Sequence, residues 1–306
     1  MSEIFLSPIL YMGNKSRLIR KGLINLFPKK INKFIDVFAG SASISMNTKA
    51  KFYIINDIDD TLHSYYQMFL KYEANEIINH IKQRIVEFNL PQKTTIRCFS
   101  DKEEVDKYKK AYHIFRDQYN KNKNVLDLYT LMFFAFSQQF RTNKKGDFNM
   151  PFGNNYFSTK NEKNITIGHS FFKKNISFYK ENFIDLIDKI NISKDDFVYF
   201  DPPYRITTAT YNENNSWNQK DDTLLYNVCE KLDKNGINFG LSNVFINKNI
   251  ENTLLKEFCI KNNLNIYTPN NFKYHACGKE NIKQQEVFIC NYEIESTEHD
   301  FNYIKI

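Results

Sequence analysis

Residues 34–47, Phe-Ile-Asp-Val-Phe-Ala-Gly-Ser-Ala-Ser-Ile-Ser-Met-Asn, decide the fold. An apolar run gives way to small residues and then to a segment that can be helical, which reads as a buried strand, a tight turn and a helix. Residues 52–59, FYIINDID, form a second apolar run ending in acids, and a helical pattern follows from Thr61 to Tyr72. Strand, helix and strand at this spacing predict a parallel sheet with crossover helices. Strand-like runs return at 196–200 (DFVYF), 237–241 (INFGL) and 286–291 (EVFICN). The texture between them differs, with charged helical stretches over 101–119, an apolar helix over 126–136 and a polar loop, FRTNKKGDFNMPFG, over 140–153. We therefore expect a doubly wound α/β sheet built from residues 1–75 and 175–306, interrupted by a helical insert at 76–174.

Composition bounds the partners. With 306 residues, 42% apolar and 25% charged, the chain has enough apolar material for a real core and is not a disordered tail. No stretch approaches the roughly 20 apolar residues that span a bilayer. No basic segment precedes the short apolar run near the N-terminus, so no secretory signal is expected. Cys98, Cys229, Cys259, Cys277 and Cys290 are scattered without a C-x-x-C pair. Neither a disulfide framework nor a zinc site is indicated, and reduced thiols fit a cytoplasmic protein. A net charge of +7 favours a polyanionic partner. With 28 Phe and 19 Tyr beside it, that excess suits nucleic acid, although an AT-rich coding sequence gives the same bias.

The chemistry concentrates at strand ends. The buried run 196–200 leads straight into Asp201-Pro202-Pro203-Tyr204. Two prolines stiffen the loop and remove N–H donors, leaving its carbonyls free as acceptors. Ligands of open parallel sheets bind beyond the carboxyl ends of the strands. A carboxylate, free carbonyls and an aromatic face in one place suit an amino group on a flat ring; an ordinary loop is the plainer reading. Gly40, in Asp36-Val37-Phe38-Ala39-Gly40, permits a tight turn and close approach to a ligand, but no dinucleotide fingerprint is present. The acids after the second strand, Asp57 and Asp59, suit either ribose hydroxyls or a helix N-cap. Tyr11-Met12-Gly13-Asn14-Lys15-Ser16 lacks the phosphate-loop spacing, which excludes a nucleoside triphosphatase.

In chain order, YMGNK, DVFAGSAS, IINDID, DFVYFDPPY, NGINFGLSNV and EVFICNY resemble the Dam-type DNA adenine methyltransferases, from about Leu6 to Tyr292. DPPYRITTATYN and ENTLLKEF are most similar to the members found in T-even bacteriophages. DPPY occurs in other amino methyltransferases as well; the ordered set, with FRTNKKGDFNMPFG inside the insert, is more specific.

The resemblance implies a Rossmann-like sheet, S-adenosylmethionine as cofactor and the exocyclic N6 amine of adenine in double-stranded DNA as acceptor. It implies that Tyr11 and Lys15 hold the methionine end of the cofactor, and that Asp36, Phe38, Ala39 and Gly40 form the cofactor turn. Asp57, with Ile58 beside it, takes the ribose. Asp201, Pro202, Pro203 and Tyr204 form the catalytic loop, Asp201 lying also beside the cofactor. Arg141, Asn143 and Pro151 fall in the loop that meets DNA, where Lys144 and Lys145 suit phosphates. Glu286, Asn291 and Tyr292 match a closing strand read as structural. No metal is implied. GATC is the implied target, and a companion restriction endonuclease is compatible with this class.

Three departures matter. Asn182-Phe183 stands where many members carry Asp-Phe, Leu10 stands where cellular members carry Lys, and Gln139-Phe140 precede Arg141 where a wedge between base pairs is expected. Phe140 suits a wedge or a core position equally. The expected function is site-specific adenine methylation of DNA by a cytoplasmic protein of a bacterial or phage-infected cell. RNA adenine methylation and a non-catalytic DNA-binding relative are the alternatives. A protein-amide methyltransferase more often carries Asn in place of Asp201.

Overall fold

A computed structural model describes residues 4–11, 13–92, 102–207, 217–270, 274–276, 279–282 and 284–306. Met12, Cys98, Cys277 and residues 208–212 of the phage-like stretch lie outside the described residues.

The first half of the chain runs α1 (Ser16–Arg20), β1 (Lys33–Asp36), α2 (Ser43–Asn47), β2 (Phe52–Asn56), α3 (Asp60–Lys71), α4 (Ala74–Glu87), α5 (Lys102–Asn122), α6 (Val125–Phe134) and α7 (Thr159–Phe172). It continues through β3 (Ile176–Tyr179), α8 (Phe183–Lys189), β4 (Phe197–Phe200), α9 (Gln219–Lys234), β5 (Asn238–Asn247), β6 (Ile250–Glu251) and α10 (Thr253–Lys261). The strands β7 (Asn265–Pro269), β8 (Tyr274–Ala276), β9 (Lys279–Ile282), β10 (Gln284–Cys290) and β11 (Phe301–Ile304) complete it.

The main sheet has the order β11-β7-β10-β5-β4-β1-β2-β3, with β6 paired to β5. The five strands from β3 to β5 are parallel, as the sequence predicts. Antiparallel strands extend this parallel core at one edge. β10 runs antiparallel between β5 and β7, and β11 is antiparallel to β7. β7 and β10 are antiparallel neighbours, so the chain between them needs no helical crossover.

Side chains alternate across the sheet, and both faces are covered. On one face Phe34, Tyr53, Ile55, Phe197 and Tyr199 share a continuous core with residues of α3, α4, α6 and α7. Helices of the 74–172 region thus pack into the same core as the sheet. On the other face Ile35, Ile54, Val198, Phe200 and Leu241 meet α8, α9 and α10. Burial on both sides is why these strands read as unbroken apolar runs. None of the described helices is long and apolar enough to cross a membrane.

Candidate active site

Adjacent strands β1 and β4 mark the point where the winding reverses. From β1 the chain proceeds outward through β2 and β3, and from β4 it turns the other way to β5. Two loops diverge there, and a crevice opens beyond the strand ends. It holds a cavity of about 400 Å³, a size that suits a small ligand. Tyr11, Lys15, Asp36, Phe38, Ala39, Gly40, Asp57, Ile58, Asp201, Pro202 and Pro203 all line it.

The turn after β1 is built for close approach. Gly40 has φ +53°, and a Cβ there would meet the Tyr11 ring at 3.3 Å. Its N–H donates to Asp57 Oδ2 at 2.8 Å, and its carbonyl accepts from the Tyr66 hydroxyl. Asp57 Oδ1 accepts from the Asp59 N–H at 3.0 Å. Asp59 itself caps α3, accepting from the Thr61 and Leu62 N–H groups. Both acids line the cavity, and Asp59 is in addition the helix cap.

Asn56, 1% exposed, was not singled out in the sequence. Its amide donates to the Val37 and Glu181 carbonyls at 2.9 and 3.0 Å and accepts from the Glu181 N–H at 2.9 Å. It therefore ties together the ends of three strands. Asn182 caps α8 through the Ile184 N–H, and Phe183 joins Phe38 and Trp217 in an aromatic wall with ring centroids 5.5–5.6 Å apart. Trp217, the sole tryptophan, also lines the cavity. Its solitary status was the one signal by which the sequence could have flagged it.

Acidic side chains cluster around Asp201. Asp36 is fully buried and accepts from Ser45 Oγ at 2.6 Å. Burial pushes its pKa up to about 7; the Ser45 hydroxyl opposes the rise, and the Asp201 and Asp57 charges add to it. Burial likewise raises Asp57 to about 6 against the pull of the Asp59 and Gly40 N–H groups. Lys15 Nζ lies 2.6 Å from Asp201 Oδ2, and the Tyr204 hydroxyl donates to Asp201 Oδ1 at 2.9 Å. Glu286, beside the bulge in β10, is nine-tenths buried; burial raises its pKa while Lys15 lowers it. Asn291 and Tyr292 bond to backbone groups of residues 237, 239 and 26, which closes the sheet.

Tyr204 is placed differently from its neighbours. Its ring is 6% exposed, packs with Ile206 and Val244, and does not line the cavity.

The loop after α6 forms a small hairpin in which Thr142 bridges Phe148. Asn143 Oδ1 accepts from the Lys145 and Asp147 N–H groups and so shapes the turn. Lys144 and Lys145 are exposed at its tip, and Lys123, just after α5, anchors its far side through Asp147 at 3.1 Å. Arg141 is exposed and steadied by Asn149 Oδ1 at 2.9 Å. The Pro151 carbonyl accepts from the Phe136 N–H. Phe140 stacks on Phe148 with centroids 5.7 Å apart and packs against the core, the second of its two readings. None of these loop residues lines the cavity.

Fold and site together define a Rossmann-like α/β domain with a ligand crevice at its switch point. The family model described as D12 class N6 adenine-specific DNA methyltransferase matches residues 11–294, and the chain belongs to that family. It is 35% identical over 294 residues to modification methylase StsI of Streptococcus sanguinis and 32% identical over 293 to type II methyltransferase M.FokI of Planomicrobium okeanokoites. Each alignment covers 94% of this chain but 43% of the relative, so the chain spans less than half their length. The DNA adenine methylase of Escherichia coli K12 is 27% identical over 221 residues, covering 68% of this chain and 70% of that protein.

Proposed function

We propose that the chain transfers the methyl group of S-adenosylmethionine to the N6 amine of an adenine flipped out of duplex DNA. The observation that carries this reading is the junction of β4 with Asp201, Pro202 and Pro203 at the wall of the switch-point cavity, where Lys15 holds Asp201. The cavity chemistry fits the cofactor: an aromatic wall of Phe38, Phe183 and Trp217 suits adenine, Asp57 suits ribose hydroxyls, and Asp36 suits a cationic methionine end. When bound, the cofactor supplies an electrophilic methyl on a sulfonium.

The chain's own groups orient the amine. The exocyclic amine of adenine is a poor nucleophile because its lone pair is delocalised into the ring. Asp201 and the Pro202 carbonyl accept its two N–H bonds and favour a pyramidal nitrogen whose lone pair is available. Tyr204 stacks on the extruded base once its ring leaves its packing against Ile206 and Val244. Flipping costs a few kcal/mol, and positioning and electrostatics supply most of the acceleration.

Residues 76–174 act as the target-reading part, with Arg141 for a base edge, Lys144 and Lys145 for phosphates, and Asn143 and Pro151 shaping the loop. The Dam-like motifs favour GATC. Greater identity to StsI and M.FokI than to the Escherichia coli enzyme favours a second reading, a different target belonging to a modification system with a companion endonuclease. In either case the enzyme acts on DNA in the cytoplasm. Initial rates of labelled methyl transfer to duplex DNA and to structured RNA test the acceptor class. Preference for duplex DNA supports the proposal, and preference for RNA replaces it.

A further inference from the structure

Asp222, in the first turn of α9, takes no part in the steps above, yet it joins the two halves of the site. It is 1% exposed. One carboxylate oxygen accepts from Arg205 Nε at 2.7 Å, and the other accepts from Trp217 Nε1 at 2.8 Å. Arg205 directly follows the Asp201–Tyr204 loop and also donates to Asn252 Oδ1 at 3.2 Å. Asn252 caps α10 and donates to the Val244 carbonyl; Val244 in turn packs with Tyr204. Trp217, 9% exposed, forms the cavity wall with Phe38 and Phe183.

A buried carboxylate with a donor on each oxygen is strongly oriented. Taking its charge away would leave the Arg205 guanidinium poorly compensated, which is costly. We propose that Asp222 is a positioning residue that locks the catalytic loop, through Arg205, to the aromatic wall of the cofactor pocket, through Trp217. The proposal rests on the methyl-transfer reading and assigns to Asp222 and Trp217, which lie outside its motifs, the task of setting base site against cofactor site. Methyl transfer needs reacting atoms about 3–3.5 Å apart in line, so a small drift between the two halves is expensive.

The test uses the full chain with S-adenosylhomocysteine titrated by calorimetry and by emission of the single tryptophan, alongside steady-state methyl transfer to duplex DNA and thermal melting. Trp217→Phe keeps a ring but loses the N–H; it should weaken S-adenosylhomocysteine by about tenfold, with a smaller fall in kcat. Arg205→Lys keeps the charge but loses the planar donor set; it should lower kcat by about tenfold, with a smaller change in Kd. Asp222→Asn should do both and shift the Trp217 emission. If that variant does not fold, the opposite split of the other two carries the test. Variants that lose thermal stability but keep wild-type Kd and kcat would reduce Asp222 to a structural support and overturn the proposal. Wild-type binding of S-adenosylhomocysteine with an unaltered Asp222→Asn variant would overturn the bridge alone. A wild-type chain that binds none would overturn the methyl-transfer reading and the bridge with it.

Discussion

Lys15 and Asp201, one from the N-terminal loop and one from the end of β4, form a salt bridge of 2.6 Å with side chains only 10% and 15% exposed. The same ammonium lies 5.0 Å from the centroid of the Tyr204 ring. Held by Lys15 on one oxygen and by the Tyr204 hydroxyl on the other, the Asp201 carboxylate has a defined orientation. Asp201→Ala should abolish methyl transfer in a folded protein. Lys15→Met should lower kcat by about 10- to 100-fold, the worth of a charge-assisted bond in a largely buried pair. Steady-state kinetics with circular dichroism checks both, and near wild-type turnover in either variant contradicts the role given to the pair.

Asp57 faces the cavity while holding the Gly40 and Asp59 N–H groups. Asp57→Ala should weaken S-adenosylmethionine binding several-fold in calorimetry without DNA, and should also lower the melting temperature because two backbone donors lose their acceptor. Unchanged affinity would move the ribose contact elsewhere.

Asp36 and Asp57 give the protein a distinctive pH dependence. Burial raises them to about 7 and about 6, whereas an unfolded Asp titrates near 3.9. A carboxyl with a raised folded pKa contributes stability that is complete below the unfolded value and lost as pH rises through the folded one. These two contributions therefore fade between about pH 4 and pH 7. Asp36→Asn removes the larger one, so its melting temperature relative to wild type should rise from about pH 5.5 to about pH 8. A cationic ligand favours the ionised acid, so S-adenosylmethionine should bind wild type more tightly across the same interval, and Asp36→Asn with less slope. A melting difference independent of pH would show that Asp36 is not the group titrating.

On the proposed function, the hairpin at 141–149 separates base reading from charge. Arg141 suits guanine O6 and N7 through two parallel N–H bonds, a contact worth roughly 1–3 kcal/mol of discrimination. Arg141→Ala should relax one base position and leave the salt slope nearly intact, and Asn149→Ala should do the same more weakly by freeing the guanidinium. Removing Lys144 and Lys145 should weaken all sequences alike and flatten the salt dependence. Binding to single-substitution duplexes at several salt concentrations distinguishes them. Full selectivity in the Arg141→Ala variant would demote that residue to a phosphate contact or a structural one.

What the sequence made legible follows from burial. β1, β2 and β4 are covered on both faces, so each appears as an unbroken apolar run, and the residues that close each run (Asp36, Asp57, Asp201) are located by it. β3, β7 and β11 are no shorter but are partly exposed, so their mixed side chains carry no such signature. Residues whose roles depend on distant partners were equally invisible. Asn56 meets Glu181 across 125 positions, and the Asp222 bridge spans residues 205 to 252. Phe140 shows the converse limit: an aromatic in a basic loop suits a wedge or a core position, and only its stack on Phe148 separates them.

The most direct measurement is a methylation map of genomic DNA from a methylation-free host expressing either the wild-type chain or Asp201→Ala. The wild type should give N6-methyladenine at one short motif, GATC or another adenine-containing site, and the variant none at equal expression. A wild-type chain that is folded and expressed but leaves adenines unmethylated, or an Asp201→Ala map identical to wild type, would contradict the proposed function.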